Sequence, residues 1–291
     1  MEHKAGFVNI IGKPNVGKST LMNALIGEKL SIITPKAQTT RHRILGMVNS
    51  DDYQIVFSDT PGIVKPHYEL HKSMMKFVEG ALEDADIILF VIEVKEKEIE
   101  EENIQRIHNA NVPVIILINK IDQCEQDVVF KKLEEIQRLF PEATCIPVSA
   151  LHKFNIEAII NKIVELLPES PPYYPKDELT DRSTRFFVSE IIREKILLLY
   201  KQEIPYSAQV IIETYVEEPK ITRIAATIHV ARDTQKSILI GKGGIAIKRL
   251  GTDARKDIET FIGQKVFLEL FVKVTKDWRD DERTLRHFGY E

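Results

Sequence analysis

The chain has 291 residues, 43% hydrophobic and 29% charged, with a formal net charge of −4. That composition describes an ordinary globular protein, and no apolar run approaches the roughly 20 residues a membrane-spanning helix needs. Its two cysteines, Cys124 and Cys145, allow no disulfide framework, offer no metal-site pattern and fit a reducing cytoplasm. The length suits two domains of ordinary size, and the apolar run at 7–11 is too short for a secretory leader.

In chain order, the first feature is that run, a strand leading directly into Gly12-Lys13-Pro14-Asn15-Val16-Gly17-Lys18-Ser19-Thr20. A strand followed by Gly-x-x-x-x-Gly-Lys-Ser and a helix is the phosphate-binding P-loop, whose backbone N–H groups surround nucleotide phosphates. Gly12 and Gly17 let backbone approach phosphate oxygens, Lys18 is a mobile charge for the outer phosphates, and the Ser19 hydroxyl suits Mg²⁺. Further short β-branched runs at 53–57, 87–92, 114–118 and 145–148 read as buried strands of a largely parallel sheet. Amphipathic helices are expected at 18–26, 69–82, 99–109, 128–140 and 155–166, which makes 1–168 a doubly wound α/β domain with helices on both faces.

Four prolines between 168 and 175 forbid regular helix, so 169–178 is expected to be an extended linker. A smaller α+β domain is expected over 179–291, in the order α-β-β-α-α-β. Its first helix carries Val188, Ile191, Ile192, Ile196 and Leu199 on one face. Two alternating strands follow, Val210/Ile212/Thr214/Val216 and Ile224/Ala226/Ile228/Val230. After Gly241-Lys242-Gly243-Gly244 comes a helix with Ile247, Leu250, Ala254, Ile258 and Phe261, then a strand with Val266, Leu268, Leu270, Val272 and Val274. Residues 1–175 hold 19 Lys+Arg against 25 Asp+Glu, whereas 176–291 hold 21 against 19. A balance of +2 in the second half is weak evidence by itself for a nucleic-acid surface, so the position of the charges must decide.

Three more segments, each after an expected strand, refine the nucleotide. In Asp59-Thr60-Pro61-Gly62 the carboxylate can hold Mg²⁺ and the Gly62 N–H can face a terminal phosphate. In Asn119-Lys120-Ile121-Asp122 the carboxylate is a pure acceptor, suited to the N1–H and N2–H₂ donors of guanine, a pair adenine lacks. In Ser149-Ala150-Leu151 the Ala150 N–H can donate to guanine O6. The ordered set specifies GTP and GDP.

These motifs resemble those of the translation-factor-related GTPases, and Gly-x-Pro-Asn-Val-Gly-Lys-Ser-Thr with Gln38-Thr39-Thr40-Arg41-His42 is similar to the Era branch over nearly the whole chain. The resemblance implies a P-loop GTPase domain followed by a type II KH domain, with Mg²⁺ as cofactor. It makes Thr40 the switch I residue that closes onto Mg²⁺; Thr39 competes, and spacing alone does not separate them. Ile63 stands where many regulatory GTPases have a water-orienting Gln, so slow intrinsic hydrolysis is expected. Some relatives with Asn in the P-loop bind K⁺ near the phosphates, a role open to Asn15 here, as is simple stabilisation of the turn.

The context Ile-Gly-Lys-Gly-Gly-x-x-Ile-Lys is similar to the KH Gly-x-x-Gly loop, which clamps about four single-stranded nucleotides. Lys242 supplies charge there, Lys248 and Arg255 share one helical face, and Ile240 and Ile247 line the base groove if the family pattern holds. The Era resemblance further implies the 3′ end of 16S ribosomal RNA and the 30S subunit as partners, no obligate protein partner, and a cytoplasmic protein with peripheral inner-membrane association reported for relatives. The competing reading is a constitutive RNA-binding protein with a vestigial nucleotide domain, which intact Lys18, Ser19, Asp59 and Asp122 disfavour. His67 and His71 are expected to be solvated or switch contacts. The acidic run 95–102 is expected to be a solvated helix start, and Trp278 and Phe288 to be packing residues.

Overall fold

The computed structural model describes residues 3–34, 36 and 38–290. By contacts the chain divides into two compact units, one of residues 1–31, 40–65 and 74–181 and another of 32–39, 66–73 and 182–291.

The first unit contains β1 (Lys4–Ile11), α1 (Lys18–Ile26), β2 (Ile44–Asn49), β3 (Tyr53–Asp59), most of α2 (Glu69–Glu83), β4 (Ile87–Glu93), α3 (Glu101–His108), β5 (Val114–Asn119), α4 (Gln126–Leu139), β6 (Thr144–Pro147) and α5 (Ile156–Leu166). Its six-stranded sheet runs β2-β3-β1-β4-β5-β6. Every pairing is parallel except β2 with β3. Apart from buried Asn9 of β1 and the strand ends, the central strands are apolar because both faces are covered. Val8, Ile10, Leu89 and Leu117 join α1 and α5 residues such as Leu21, Leu25 and Ile163 in one core. Their neighbours Ile11, Phe90, Ile116 and Ile118 join Ile107, Ile136 and Phe140 of α3 and α4 in the other. Strand order reverses between β1 and β4, and the crevice beyond the carboxyl ends of such strands is where open α/β sheets hold ligands.

Sequence reading did not find β2. It is an edge strand containing Gly46, where a Cβ would lie 2.2 Å from Ile26 Cδ1. The Pro-rich stretch is extended and lies along this unit: the Tyr173 and Tyr174 N–H groups donate to Gln54 Oε1, and the Met47 N–H donates to the Leu179 carbonyl.

The second unit contains α6 (Thr184–Leu199), α7 (Ile204–Ser207), β7 (Gln209–Glu217), β8 (Thr222–Val230), α8 (Asp233–Ile240), α9 (Ile245–Ile262), β9 (Val266–Val274) and α10 (Glu282–His287). The sheet order is β7-β8-β9, with β7 antiparallel and β9 parallel to β8. Ile224, Ala226, Ile228 and Val230 form the floor of a core closed by Val188, Ile192, Leu250, Ala254 and Ile258. The expected alternation of β7 holds for Val210 and Ile212 only. A register shift between Ile212 and Thr214 turns Tyr215 toward the core and leaves Thr214 and Val216 exposed. One extra residue in a period-two strand exchanges its faces.

Ile238, Leu239 and Ile240 end α8, so the glycine loop joins two helices. The C-terminal segment covers one end of the sheet. Trp278 is fully buried and donates from Nε1 to the Ser207 carbonyl at 3.0 Å, Phe288 packs on it, and Tyr290 donates to Gln209 at 2.8 Å. Within the same unit the Leu70 N–H donates to the Arg279 carbonyl, Arg279 lies over the Tyr68 ring, and Tyr68 stacks on His71. His71 is buried, which removes the solvated alternative for it and leaves the contact role, whereas His67 is exposed. Among the described residues no helix is long and apolar enough to cross a membrane.

Candidate functional site

The P-loop turns at the carboxyl end of β1, where Gly12, Asn15 and Gly17 have φ of 150°, 66° and 102°. Gly17 is required twice over, by that backbone and by space, since a Cβ there would sit 2.2 Å from Asn119 Nδ2. Asn119 is the hub of the cleft. Its Nδ2 donates to the Val16 carbonyl at 2.8 Å, and its Oδ1 accepts from the Ala150 N–H at 3.0 Å. One amide thus ties the phosphate loop to both base-side loops. Asp122 Oδ1 accepts from Ser149 Oγ at 2.5 Å, while Asp122 itself is exposed at the cleft rim, as is Leu151. Lys120 has φ 64° and pairs with Glu93 at 2.8 Å.

On the phosphate side, Ser19 Oγ donates to Asp59 Oδ2 at 2.8 Å and lies 2.9 Å from Thr40 Oγ1, which itself donates to Asp59 at 3.2 Å. Thr39 lies elsewhere: its Oγ1 donates to the Lys36 carbonyl at 2.7 Å and meets Thr34 at 3.0 Å. Thr20 is half-buried in the first turn of α1. Gly62 packs against Pro14, whose atoms would be 2.8 Å from a Cβ, and the Ile63 N–H donates to the Gly12 carbonyl at 3.3 Å.

The electrostatics here are those of a site built for a polyanion and a cation. Lys18 is buried, donates to the Gly12 and Lys13 carbonyls at 3.0 and 2.9 Å, and has its pKa lowered to about 8 by desolvation, partly offset by Asp59. Burial raises the Asp59 pKa against the opposing pull of Lys18 and its hydroxyl partners. Each charge would be better solvated by a ligand of opposite sign. Asp59 Oδ1 is buried without a hydrogen-bond partner, so the residues fit a hard divalent cation beside Ser19, Thr40 and Asp59.

The second glycine loop is open. Gly241, Gly243 and Gly244 all have positive φ, 73°, 62° and 77°, yet a Cβ on Gly243 or Gly244 would meet nothing within 4 Å. Lys242, Lys248 and Arg255 are exposed, while Ile240 and Ile247 are half-buried. Ile245 (72% exposed) and Ile238 (51%) flank the loop, and the sequence reading assigned neither to the site. Their signal is an aliphatic side chain beside a glycine loop but off the buried helical stripe.

A P-loop cleft on a doubly wound α/β domain, together with a KH-type module, defines a GTPase built to act on RNA. A family model described as the 50S ribosome-binding GTPase matches residues 7–120, and the KH domain model matches 203–279. GTPase Era of Staphylococcus haemolyticus (strain JCSC1435) is 45% identical over 292 residues, covering 99% of this chain and 98% of that protein. Era in complex with MgGDPNP and nucleotides 1506–1542 of 16S ribosomal RNA aligns with a TM-score of 0.94 and 42% identity over 99% of both chains. A variant of Aquifex aeolicus Era bound to GDP.AlF4− gives 0.94 and 41%, again over 99% of both. The chain belongs to the Era family of GTPases.

Proposed function

We propose that this GTPase is a slow nucleotide switch that binds the 3′ end of 16S ribosomal RNA through its KH domain and assists 30S subunit assembly. The observation that carries the reading is the contact of Ser19 Oγ and Thr40 Oγ1 with Asp59 Oδ2, which leaves Asp59 Oδ1 buried and unpartnered, together with Asp122 at the rim of the same cleft. Residues 1–168 are assigned to nucleotide and 179–291 to RNA, with 169–178 joining them. Gly12, Asn15, Val16, Gly17, Lys18, Ser19, Thr20 and Gly62 take the phosphates. Asn119, Lys120, Asp122, Ser149, Ala150 and Leu151 take the base. Thr40 rather than Thr39 serves the metal, because only its hydroxyl lies with Ser19 and Asp59.

Mg²⁺, when bound, neutralises charge building on the phosphates of GTP. Lys18 holds the outer phosphates, the loop amides support the leaving group, and Asp59 orients the metal-side hydroxyls. Ile63 offers no polar atom beyond its backbone, so nothing on its side chain polarises water, and hydrolysis is slow. Asn15 is in left-handed backbone at the cleft, a position that suits either the turn or a K⁺ ligand. Hydrolysis faster in K⁺ than in Na⁺ supports the K⁺ role, and equal rates remove it.

On the RNA side Ile240, Gly241, Lys242, Gly243, Gly244, Ile247, Lys248 and Arg255 form the clamp. The reading is tested by RNA affinity measured with GDP and with a non-hydrolysable GTP analogue. A switch requires different affinities in the two states. Equal affinities instead leave the constitutive RNA-binding alternative. ATP competing as well as GTP would overturn the base assignment.

A further inference from the structure

The expected solvated start of α3 is not solvated at its most important residue. Residues 95–100 are not helical, and Glu96, 11% exposed at its side chain, points back to the P-loop. Its Oε1 lies 2.9 Å from Lys13 Nζ, and its Oε2 accepts from the Glu93 N–H at 3.4 Å. Lys13 also reaches Glu100 at 3.6 Å and the Glu98 carbonyl at 3.2 Å, while Lys13's own carbonyl accepts from Lys18. At the other end of this turn Glu93 pairs with Lys120, and the Val94 N–H donates to the Asn119 carbonyl at 3.0 Å. Lys132 fixes the turn from below, donating to the Glu96 carbonyl at 2.7 Å.

We infer that the Glu93–Glu96 turn is a positioning clamp that links the P-loop, through Lys13, to the guanine loop, through Lys120, and so sets how slowly GDP leaves. The inference rests on the nucleotide lying against those two loops as proposed above. Isolated exposed ion pairs contribute little. These pairs differ because one short turn holds both, with Glu96 largely shielded and two backbone hydrogen bonds fixing its geometry. Neither Glu is among the residues assigned above to the phosphates or the metal, so the clamp acts on release and leaves chemistry alone. The acidic run thereby acquires a purpose beyond solubility: anything basic that takes Glu96 from Lys13 loosens both ends of the cleft together.

The test is release of a fluorescent GDP from the full-length protein, read alongside single-turnover GTP hydrolysis. Glu96→Gln and Lys13→Met each raise the release rate by about fivefold, on the scale of a part-buried ion pair, with hydrolysis within about twofold of the unmodified protein. Glu93→Gln does the same, and its combination with Glu96→Gln is less than additive. Lys13→Arg restores slow release, as does pairing Lys13→Glu with Glu96→Lys, which separates the ion pair from a folding defect. Glu98→Gln, whose side chain makes none of these contacts, leaves release unchanged. Unaltered release in both Glu96→Gln and Lys13→Met overturns the clamp, as does hydrolysis falling by as large a factor as release rises. If the unmodified protein fails to retain GDP at all, the cleft assignment fails instead.

Discussion

Gly17 of the first glycine loop and Gly243 and Gly244 of the second are needed for opposite reasons, while Gly241, where a Cβ would lie 2.7 Å from Ala246 Cβ, closes the second loop at its start. At the P-loop, Gly17 is needed because the space is taken: Asn119 occupies the place of a Cβ. In the second loop, Gly243 and Gly244 look onto open space and are needed only for their backbone. The first loop is enclosed by side chains from three strands' ends, with a buried lysine and a buried aspartate whose protonation is displaced by desolvation. The second presents exposed Lys242, Lys248 and Arg255 on one helix and its leading loop. An enclosed site recognises a small ligand by shape and fixed charge; an open one accepts a chain that passes across it.

The sharpest way to break this comparison is to add one methyl group to each loop. Gly17→Ala combines left-handed strain with a collision, displacing the loop from the phosphates, and should weaken GDP binding by at least about 100-fold in calorimetric titration. Gly243→Ala meets no atom and should cost only about 1 kcal/mol of stability, with RNA binding weakened by roughly tenfold or less. Equal losses at the two positions would mean that the loops are not different in kind.

A second substitution separates binding from stability inside the first cleft. Asp59 has its pKa raised by burial, so its ionised form is disfavoured in the ligand-free fold. Asp59→Asn should therefore stabilise the ligand-free protein at pH 7, on the order of 1 kcal/mol in denaturant unfolding, while Mg²⁺-dependent hydrolysis falls by about 100-fold. A loss of stability in the free protein would show that Asp59 is held by its hydroxyl partners well enough to need no cation.

How much of this was legible in the sequence follows the same division. The enclosed cleft was readable because its first three loops follow buried strands, and strands of that apolar density announce themselves; β6, before Ser149, was expected to be buried and is only half-buried. Closure was not readable: the Asn119 bridge to Val16 and Ala150 spans 103 and 31 residues, and the pairing of Lys13 with Glu96 spans more than 80. Charge patterning along a chain sees neighbours, so the acidic run looked solvent-facing. The edge strand β2 was missed because its pairing partner and Gly46's tight packing, not its own alternation, make it a strand. The reversal at Glu213 was hidden for a related reason, since a bulge inserts one residue without any proline or glycine to mark it.

Salt should separate the loops next. RNA affinity should fall log-linearly with salt, and Lys242→Ala, Lys248→Ala and Arg255→Ala should each reduce the slope by roughly 0.7. GDP affinity, held by enclosed charges and a metal, should change far less over the same range. Slopes unaffected by all three substitutions would move the RNA path away from the glycine loop.

The smallest expected effect lies in the second unit, at a histidine beneath its C-terminal segment. His229 has its pKa lowered, first by burial beneath the C-terminal segment and then by Lys273 and His287, against the opposing Glu213. It lies 2.9 Å from Thr275 Oγ1, with the Phe288 ring 4.8 Å away. Because the folded protein disfavours its proton, this contribution to stability is complete above the ordinary histidine value near pH 6.5 and is lost as the pH falls through the lowered folded value. Trp278 is the chain's only tryptophan and is buried in the same unit, so its fluorescence follows this unfolding directly. Between pH 7 and 5 the transition should move to lower denaturant by less than about 1 kcal/mol, and His229→Gln, which keeps a hydrogen-bonding side chain without titrating, should flatten that dependence. A dependence that survives in His229→Gln would assign the acid sensitivity to other groups under the C-terminal segment.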